Sequence, residues 1–207
     1  VLVLSVCIGV PLGILSAVKQ NSLLDTSPTM IAFFLAAVPS FVVGIVLMYV
    51  FALKLNWFPS FGLTSAKHYV LPVIAATICE LSAYLRFTKS SMLESIRQDY
   101  VRTARAKGVA ERTVIWKHAL KNALLPVVTS IGMRFGCLLA GMVTTEKLFS
   151  IPGIGSLIVD SISLKDEPMI IGCAIMVSVC FTLLMIGVDL IYAFIDPRIR
   201  AKYSKRR

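Results

Sequence analysis

The chain contains little charge, and few of its charged residues are acidic. Only 15% of its 207 residues are Asp, Glu, Lys or Arg, whereas 57% are hydrophobic. Its mean hydropathy is +0.83. Soluble domains carry about 25% charged residues. This composition therefore excludes an ordinary soluble domain and predicts a membrane protein.

The sequence also lacks the short motifs of common nucleotide-binding and catalytic sites. It has no G-x-x-x-x-G-K-[ST] loop, no H-E-x-x-H motif and no G-x-S-x-G turn. Its five cysteines lie within apolar runs, and no two of them form a C-x-x-C pair. A membrane-embedded enzyme, a disulfide framework and a zinc site are therefore unsupported.

Apolar stretches near the length needed to cross a bilayer, about 20 residues, recur along the chain. We predict spans at residues 1–18, 28–53, 70–92, 124–149 and 168–194, within one transmembrane domain covering residues 1–207. Pro39 and Gly44 predict a kink in the second span. The expected fold class is all-α, a polytopic transmembrane helical bundle. Because Val1 already lies in an apolar run, we interpret the chain as a fragment that lacks N-terminal material.

Most of the 21 Lys and Arg residues lie in a loop at residues 95–123 or in a tail at residues 196–207. Cytoplasmic segments of membrane proteins carry such an excess of Lys and Arg, so we predict that both are cytoplasmic. Nucleic-acid binding is another use of a net charge of +10. Here the basic residues flank apolar spans, so membrane topology explains them and nucleic acid is not an expected partner.

The loop at residues 95–123 has the pattern of two short helices separated by Gly108. Val101 and Ala104 lie on one apolar face of the first helix. A glycine lets the chain turn sharply through a positive φ. Two interpretations remain open: helices that lie on lipid headgroups, or an elbow that docks on a soluble partner. The small Ala104 and Ala106 would permit close approach of that partner.

We single out three of the ionisable residues that fall within the predicted spans or at their ends. Glu80 lies midway along the third span, Arg134 lies within the fourth, and Glu146 lies at the outer end of the fourth. Ionisable groups inside a membrane face protein or water. We interpret the three as candidates for the lining of a translocation path. The alternative for Glu80 and Arg134 is a structural ion pair.

Several stretches resemble one transporter family. DYVRTARAKGVAERTVIWKHALKNALLPVVT resembles the cytoplasmic loop of binding-protein-dependent ABC-transporter permeases, in the branch that carries dipeptides, oligopeptides and nickel. PSFVVGIVLMYVFAL, YLRFTKSSMLE, FSIPGIGSLIVDSI and DLIYAFIDPRIR resemble the same branch. The family pattern is Glu-Ala-Ala, three residues, Gly, nine residues, Ile-x-Leu-Pro. Gly108 and Ala104 match it, Arg102 and Thr103 replace the Glu and the first Ala, and HALK replaces the last element.

The resemblance implies a type I importer permease (MetI-like) fold with cytoplasmic coupling helices, in a bacterial or archaeal inner membrane. The implied partners are a second homologous permease subunit, two cytoplasmic ATPase subunits and an extracytoplasmic substrate-binding protein. ATP and Mg would be held by the ATPases, so no cofactor is expected on this chain. Family members have six spans, so one N-terminal span would be missing here. The implied ATPase-docking residues are Asp99, Tyr100, Arg102, Thr103, Ala104, Arg105, Ala106, Lys107, Gly108, Glu111 and Arg112.

The substrate stays open among the cargoes of this branch. Peptides are the first expectation, and nickel or a metal–chelator complex is the alternative. A structural membrane protein that transports nothing is the more distant alternative.

Overall fold

The computed structural model describes residues 1–139 and 142–195. Every regular element within these ranges is helical, as the sequence predicts. The α-helices are α1 (Leu2–Val18), α2 (Leu23–Ala37), α3 (Ser40–Leu47), α4 (Val70–Ile96), α5 (Asp99–Ala106), α6 (Glu111–Thr113), α7 (Leu120–Leu139), α8 (Val143–Leu148), α9 (Ile154–Leu164) and α10 (Glu167–Ile195). Met48–Lys54 and Val114–Ala119 are π-helical, and Ala66–Tyr69 is a 3₁₀ turn. The predicted basic tail at residues 196–207 lies outside the described residues.

Helix α4 is the centre of the bundle and packs against α1, α2, α3 and α7. Its contact with α1 depends on two glycines. A Cβ atom on Gly9 would lie 2.9 Å from the carbonyl oxygen of Leu81, and one on Gly13 would lie 2.6 Å from that of Leu85. These distances leave no room for a side chain, so the two backbones pack in direct contact.

The second predicted span is two helices rather than one kinked helix. Helix α2 begins at Leu23, earlier than predicted, and meets α3 at an angle of 98°. Pro39 lies at the bend, with ψ of 140°. Proline has no N–H to donate, and an extended ψ ends the helical hydrogen bonding. The predicted kink at Pro39 is therefore a near-right-angle break.

The fourth predicted span, at residues 124–149, also needs correction. Helix α7 begins earlier, at Leu120, and ends at Leu139, while α8 is a separate six-residue helix. Only the first part of the predicted range therefore belongs to the long helix that packs on α4 and α10.

Two of the described helices are long and apolar enough to cross a membrane, at Ala66–Ile96 and Glu167–Val188. If the bent pair formed by α2 and the helix that begins with α3 counts as one span, the described residues contain three candidate membrane spans. Helix α1 is apolar but has only 17 residues. The count of five spans therefore stays a prediction.

Candidate functional site: an elbow joined to a charged cleft

The chain between α4 and α7 folds as a helix, a turn and a second helix, which we call the elbow (residues 99–113). Helix α5 ends at Ala106, and the chain reverses at Gly108 with φ of +74°. Residues with a Cβ rarely adopt this backbone conformation. The positive φ expected at Gly108 is thus present, and α6 begins three residues later, at Glu111.

The apolar face of the elbow packs against the rest of its own chain. Val101, Val114 and Ala119 are fully buried together, and Ala104 is 7% exposed. The expectation that Ala104 lies on the docking surface is therefore corrected, because its small side chain fills the chain's own core. Neither helix of the elbow has an apolar face left to lie on lipid in the way an amphipathic surface helix does.

The outward face of the elbow is polar and strongly charged. It comprises the other predicted docking residues, all of them exposed: Asp99, Tyr100, Arg102, Thr103, Arg105, Ala106, Lys107, Gly108, Glu111 and Arg112. Arg105 donates two hydrogen bonds to the carboxylate of Glu111, at 2.7 and 3.0 Å. These bonds lower the pKa of the Glu111 carboxyl and raise the pKa of Arg105. The ion pair braces the turn from its outer side.

Two serine hydroxyls bond the base of α4 to the π-helical stretch and to the first turn of α7. Ser95 Oγ donates to the carbonyl oxygen of Ala119 at 2.7 Å, and Ser91 Oγ donates to that of Ala123 at 2.7 Å. The Tyr100 hydroxyl, on the elbow, lies 2.7 Å from Ser95 Oγ. Ala119 ends the π-helical stretch, whose carbonyls are displaced from regular α-helical pairing. The elbow is thus bonded to α4 through Tyr100, and α4 is bonded in turn to the π-helical stretch and to α7.

Glu80 on α4 and Arg134 on α7 meet as an ion pair, with Nη1 and Oε2 3.2 Å apart. The Glu80 side chain is 21% exposed and the Arg134 side chain is 40% exposed. The Arg134 guanidinium also lies 5.6 Å from the centre of the Tyr84 ring, in cation–π range. The structure therefore brings these two predicted residues together, and pairing is compatible with either of the roles expected from the sequence.

The ion pair lies in the wall of a cleft of about 870 Å³ between α4, α7 and α10. A volume of this size is typical of sites that hold small organic ligands. Most of the lining is apolar, with two hydroxyl groups and the two charges. The lining residues are Glu80, Phe87, Pro126, Thr129, Ser130, Met133, Arg134 and Phe181.

Glu146 lies on α8, away from this cleft. Its Oε2 accepts a hydrogen bond from the backbone N–H of Ser156 at 2.7 Å, in the first turn of α9. A Cβ on Gly153 would collide with the Glu146 carboxylate, which therefore fills the space at the helix N-terminus. A carboxylate at this position satisfies a free N–H and opposes the positive end of the helix dipole. The structure gives Glu146 a capping contact and does not join it to Glu80 and Arg134.

Sequence reasoning missed an ion pair at the opposite side of α4. Lys89 Nζ lies 2.5 Å from Asp25 Oδ1 and donates to Thr29 Oγ1 at 3.1 Å. Asp25 also accepts from the backbone N–H of Asn21, whose φ is +64°. The Asp25 side chain is only 7% exposed. A lysine inside the apolar run of the third predicted span was the available signal, because such a charge requires a partner.

Among the described residues, no group of three His, Cys, Asp or Glu side chains is placed to hold a metal ion.

Comparison with known proteins identifies the family. Residues 9–201 match the family described as "Binding-protein-dependent transport system inner membrane component". A protein of Brucella suis biovar 1 (strain 1330), named as a peptide permease, is 42% identical over 96% of this chain and 66% of its own length. The glutathione transport system permease protein GsiC of Escherichia coli (strain K12) is 41% identical over 97% of this chain and 66% of its own length.

The same permease of Salmonella typhimurium is 41% identical over 96% of this chain and 65% of its own length. The chain thus spans about two-thirds of the length of the curated relatives that it matches. The family match covers nearly all of the chain, including the elbow and both residues of the Glu80–Arg134 pair. The chain belongs to the family of binding-protein-dependent transport system inner membrane components.

Proposed function

We propose that this chain belongs to the membrane-spanning permease subunit of an ATP-driven importer and forms part of the translocation path for peptides. The names of the relatives, a peptide permease and a glutathione permease, support this substrate class. One structural observation carries the proposal. The outward face of the elbow is charged and exposed, while a hydrogen bond joins the elbow to α4, which is itself hydrogen-bonded to the base of α7; both helices line the cleft.

The energy for transport is supplied by partners. The family description places its members in the inner membrane and in systems that depend on a binding protein. We assign the outward face of the elbow to docking on a cytoplasmic ATPase, one of two ATPase subunits that bind ATP and Mg. A second homologous permease subunit completes the path, and an extracytoplasmic binding protein delivers the substrate. The elbow is cytoplasmic in this arrangement, in agreement with its basic charge.

The proposed mechanism is mechanical. Closure of the ATPases shifts the elbow. The bond from Tyr100 to Ser95 passes the shift to α4, and the packing of Val101 against Val114 passes it to the π-helical stretch that leads into α7. Glu80 lies 11 residues above Ser91, and Arg134 lies 11 residues above Ala123. At 1.5 Å per residue, each charge is therefore about 16 Å above the Ser91–Ala123 bond. A change in the angle between the two helices at their base thus alters the distance between the two charges in the cleft.

Import of nickel or of a metal–chelator complex by the same machinery is the alternative. The names of the relatives do not favour it. The cleft offers one carboxylate beside one guanidinium, whereas a site for a bare metal ion needs several His or carboxylate ligands. Peptide import therefore remains the conclusion.

The test substitutes Gly108 in the full-length protein, assembled with its ATPases and binding protein. A Cβ at Gly108 meets nothing within 4 Å, so a side chain there projects outward. Asn and Asp tolerate a positive φ better than most residues do. We therefore expect Gly108→Asn and Gly108→Asp to leave the permease folded but to lower ATPase copurification and stimulated ATP hydrolysis by about tenfold, the effect of losing about 1.4 kcal/mol of binding.

Gly62 provides a matched control in the loop before α4, since its φ is +94° and a Cβ there would lie 3.6 Å from the nearest atom. Gly62→Asn should leave ATPase copurification unchanged. Normal copurification and uptake in both Gly108 variants would contradict the proposed docking surface.

A further inference from the structure

We propose that the Glu80–Arg134 pair is a binding site for the two ends of a peptide. Arg134 binds the terminal carboxylate, and Glu80 binds the terminal ammonium group, as the two side chains exchange their bond to each other for bonds to the substrate. This inference rests on the proposed function, because it assumes that a peptide enters the cleft.

The contact between the two side chains leaves capacity for a ligand. Among the described residues, Arg134 makes a single hydrogen bond, to Glu80, at 3.2 Å. A guanidinium carries five N–H donors in a planar arrangement that matches a carboxylate at two points. The Arg134 side chain is 40% exposed and forms part of the cleft wall. It can therefore accept a carboxylate without the removal of any other protein contact.

Exchange of partners also explains why both charges are present. Ionisable groups within membrane spans are costly unless they are paired or face water. In the empty cleft, Glu80 and Arg134 neutralise each other. A zwitterionic peptide supplies one charge of each sign, so the cleft stays neutral after both side chains have changed partners. A cargo with a single charge would leave one side chain unpaired.

The rest of the lining suits cargoes that vary in sequence. Phe87, Met133 and Phe181 offer apolar surfaces that accept many side chains without fixed hydrogen bonds. The hydroxyls of Thr129 and Ser130 can each donate or accept. The two charges are therefore the groups in the cleft that best distinguish one cargo from another, and they recognise the features common to all free peptides.

The experiment compares uptake of a free tripeptide with uptake of its N-acetylated and C-amidated forms. The full-length protein is used with its ATPases and binding protein. Uptake of each peptide by a variant is divided by uptake of the same peptide by the unsubstituted transporter. The preference of the binding protein for one peptide over another therefore cancels. Loss of a hydrogen bond to a charged group lowers affinity by about tenfold or more.

We expect Arg134→Gln to lower uptake of the free and N-acetylated peptides by about tenfold and uptake of the C-amide by less than about twofold. Glu80→Gln should show the converse pattern, with the N-acetylated peptide least affected. If Arg134→Gln does not assemble, Arg134→Lys keeps the positive charge but loses the planar pair of donors. Arg134→Lys should therefore lower uptake of the peptides with a free carboxylate several-fold more than uptake of the C-amide.

The Lys147–Asp160 pair between α8 and α9 is the matched control, because it also joins two helices but lies outside the cleft. Lys147→Gln with Asp160→Asn should alter uptake of all three peptides by the same factor. Retention of labelled peptide by the transporter in nanodiscs, without binding protein, gives a second readout if the binding protein rejects a blocked peptide.

Equal losses for free and blocked peptides in the Glu80 and Arg134 variants would overturn this inference, and would show that the pair only holds α4 to α7. The proposed function would survive that result. Failure of the unsubstituted transporter to take up or retain any of the three peptides would instead overturn the proposed function.

Discussion

Arg105 and Glu111 hold the two arms of the elbow together across Gly108, with two hydrogen bonds at 2.7 and 3.0 Å. Their side chains are 40% and 61% exposed. Solvent weakens such a pair, which contributes at most about 1 kcal/mol. Its effect is therefore to fix the angle of the elbow rather than to keep the protein folded.

The pair predicts how the elbow responds to pH. The pKa of Glu111 is lowered by Arg105, so the stabilisation is present above the ordinary carboxyl pKa and is lost as pH falls through the lowered value. The pKa of Arg105 is raised, so its contribution is lost only at strongly alkaline pH. The ion pair should therefore slow amide hydrogen exchange in the elbow, relative to the intrinsic rate at each pH, by the same factor from about pH 5 to pH 9.

Glu111→Gln should raise that exchange by up to about fivefold, the equivalent of about 1 kcal/mol. Asp99→Asn is the control, because Asp99 lies 3.8 Å from Arg102 and both are largely exposed. Equal protection in the parent and in the Glu111 variant would show that the pair does not brace the turn.

The contact of α1 with α4 predicts a strict size limit at Gly13. A Cβ there would lie 2.6 Å from the Leu85 carbonyl oxygen and 2.7 Å from Thr88 Cβ. Gly13→Ala should therefore push the helices apart and cost about 1–3 kcal/mol, measured as a lower melting temperature in detergent. Gly172→Ala, on α10, is the control, since a Cβ at that position meets nothing within 4 Å. Equal melting temperatures would show that α1 can shift at no cost.

The hydrogen bond from Ser95 to Ala119 predicts a coupling defect without loss of the fold. Ser95→Ala removes a bond of 2.7 Å and leaves the buried carbonyl oxygen without this donor. We expect a cost of about 1–2 kcal/mol. Uptake per ATP hydrolysed should fall, because α4 then loses both its bond to Tyr100 of the elbow and its bond to Ala119. The exposed Ser90 provides the control, and Ser90→Ala should leave this ratio unchanged.

The Asp25–Lys89 pair predicts a large effect from a single neutral substitution. Asp25→Asn leaves Lys89, only 20% exposed, without its carboxylate partner. Breaking a buried pair from one side costs about 3–5 kcal/mol. The variant should therefore melt at a markedly lower temperature than the parent. Combining Asp25→Asn with Lys89→Met should recover part of the lost stability. A double variant whose loss of stability equals the sum of the two single losses would contradict the pairing.

The fold class and the elbow could be predicted because their signals are local. Apolar run lengths indicate helices, and the helical spacing around Gly108 indicates two short helices and a turn. The contact between Glu80 and Arg134 could be suspected for a different reason. Charges within apolar runs are rare and need partners, and these two lie in helices joined by the elbow.

Other features could not be predicted, because they depend on contacts between distant parts of the chain and leave no pattern in the neighbouring sequence. The inward orientation of Ala104 depends on Val114 and Ala119, which lie in a different helical segment. In the sequence, Glu146 closes a long apolar run, but its capping contact requires α9 to fold back towards α8. The break at Pro39 was predicted as a kink, and the presence of a proline does not give the size of the bend, which is 98°.

The π-helical stretch Val114–Ala119 lies between the elbow and α7. Such a stretch arises when one residue is inserted into an α-helix while the later turns keep their regular pairing. The wider turn absorbs the extra residue, so removal of one residue from the stretch would restore regular pairing and leave Arg134 facing α4. Removal of one residue from the first turn of α7 would instead turn Arg134 by about 100° about the helix axis. The stretch therefore tolerates a deletion that the helix next to it cannot.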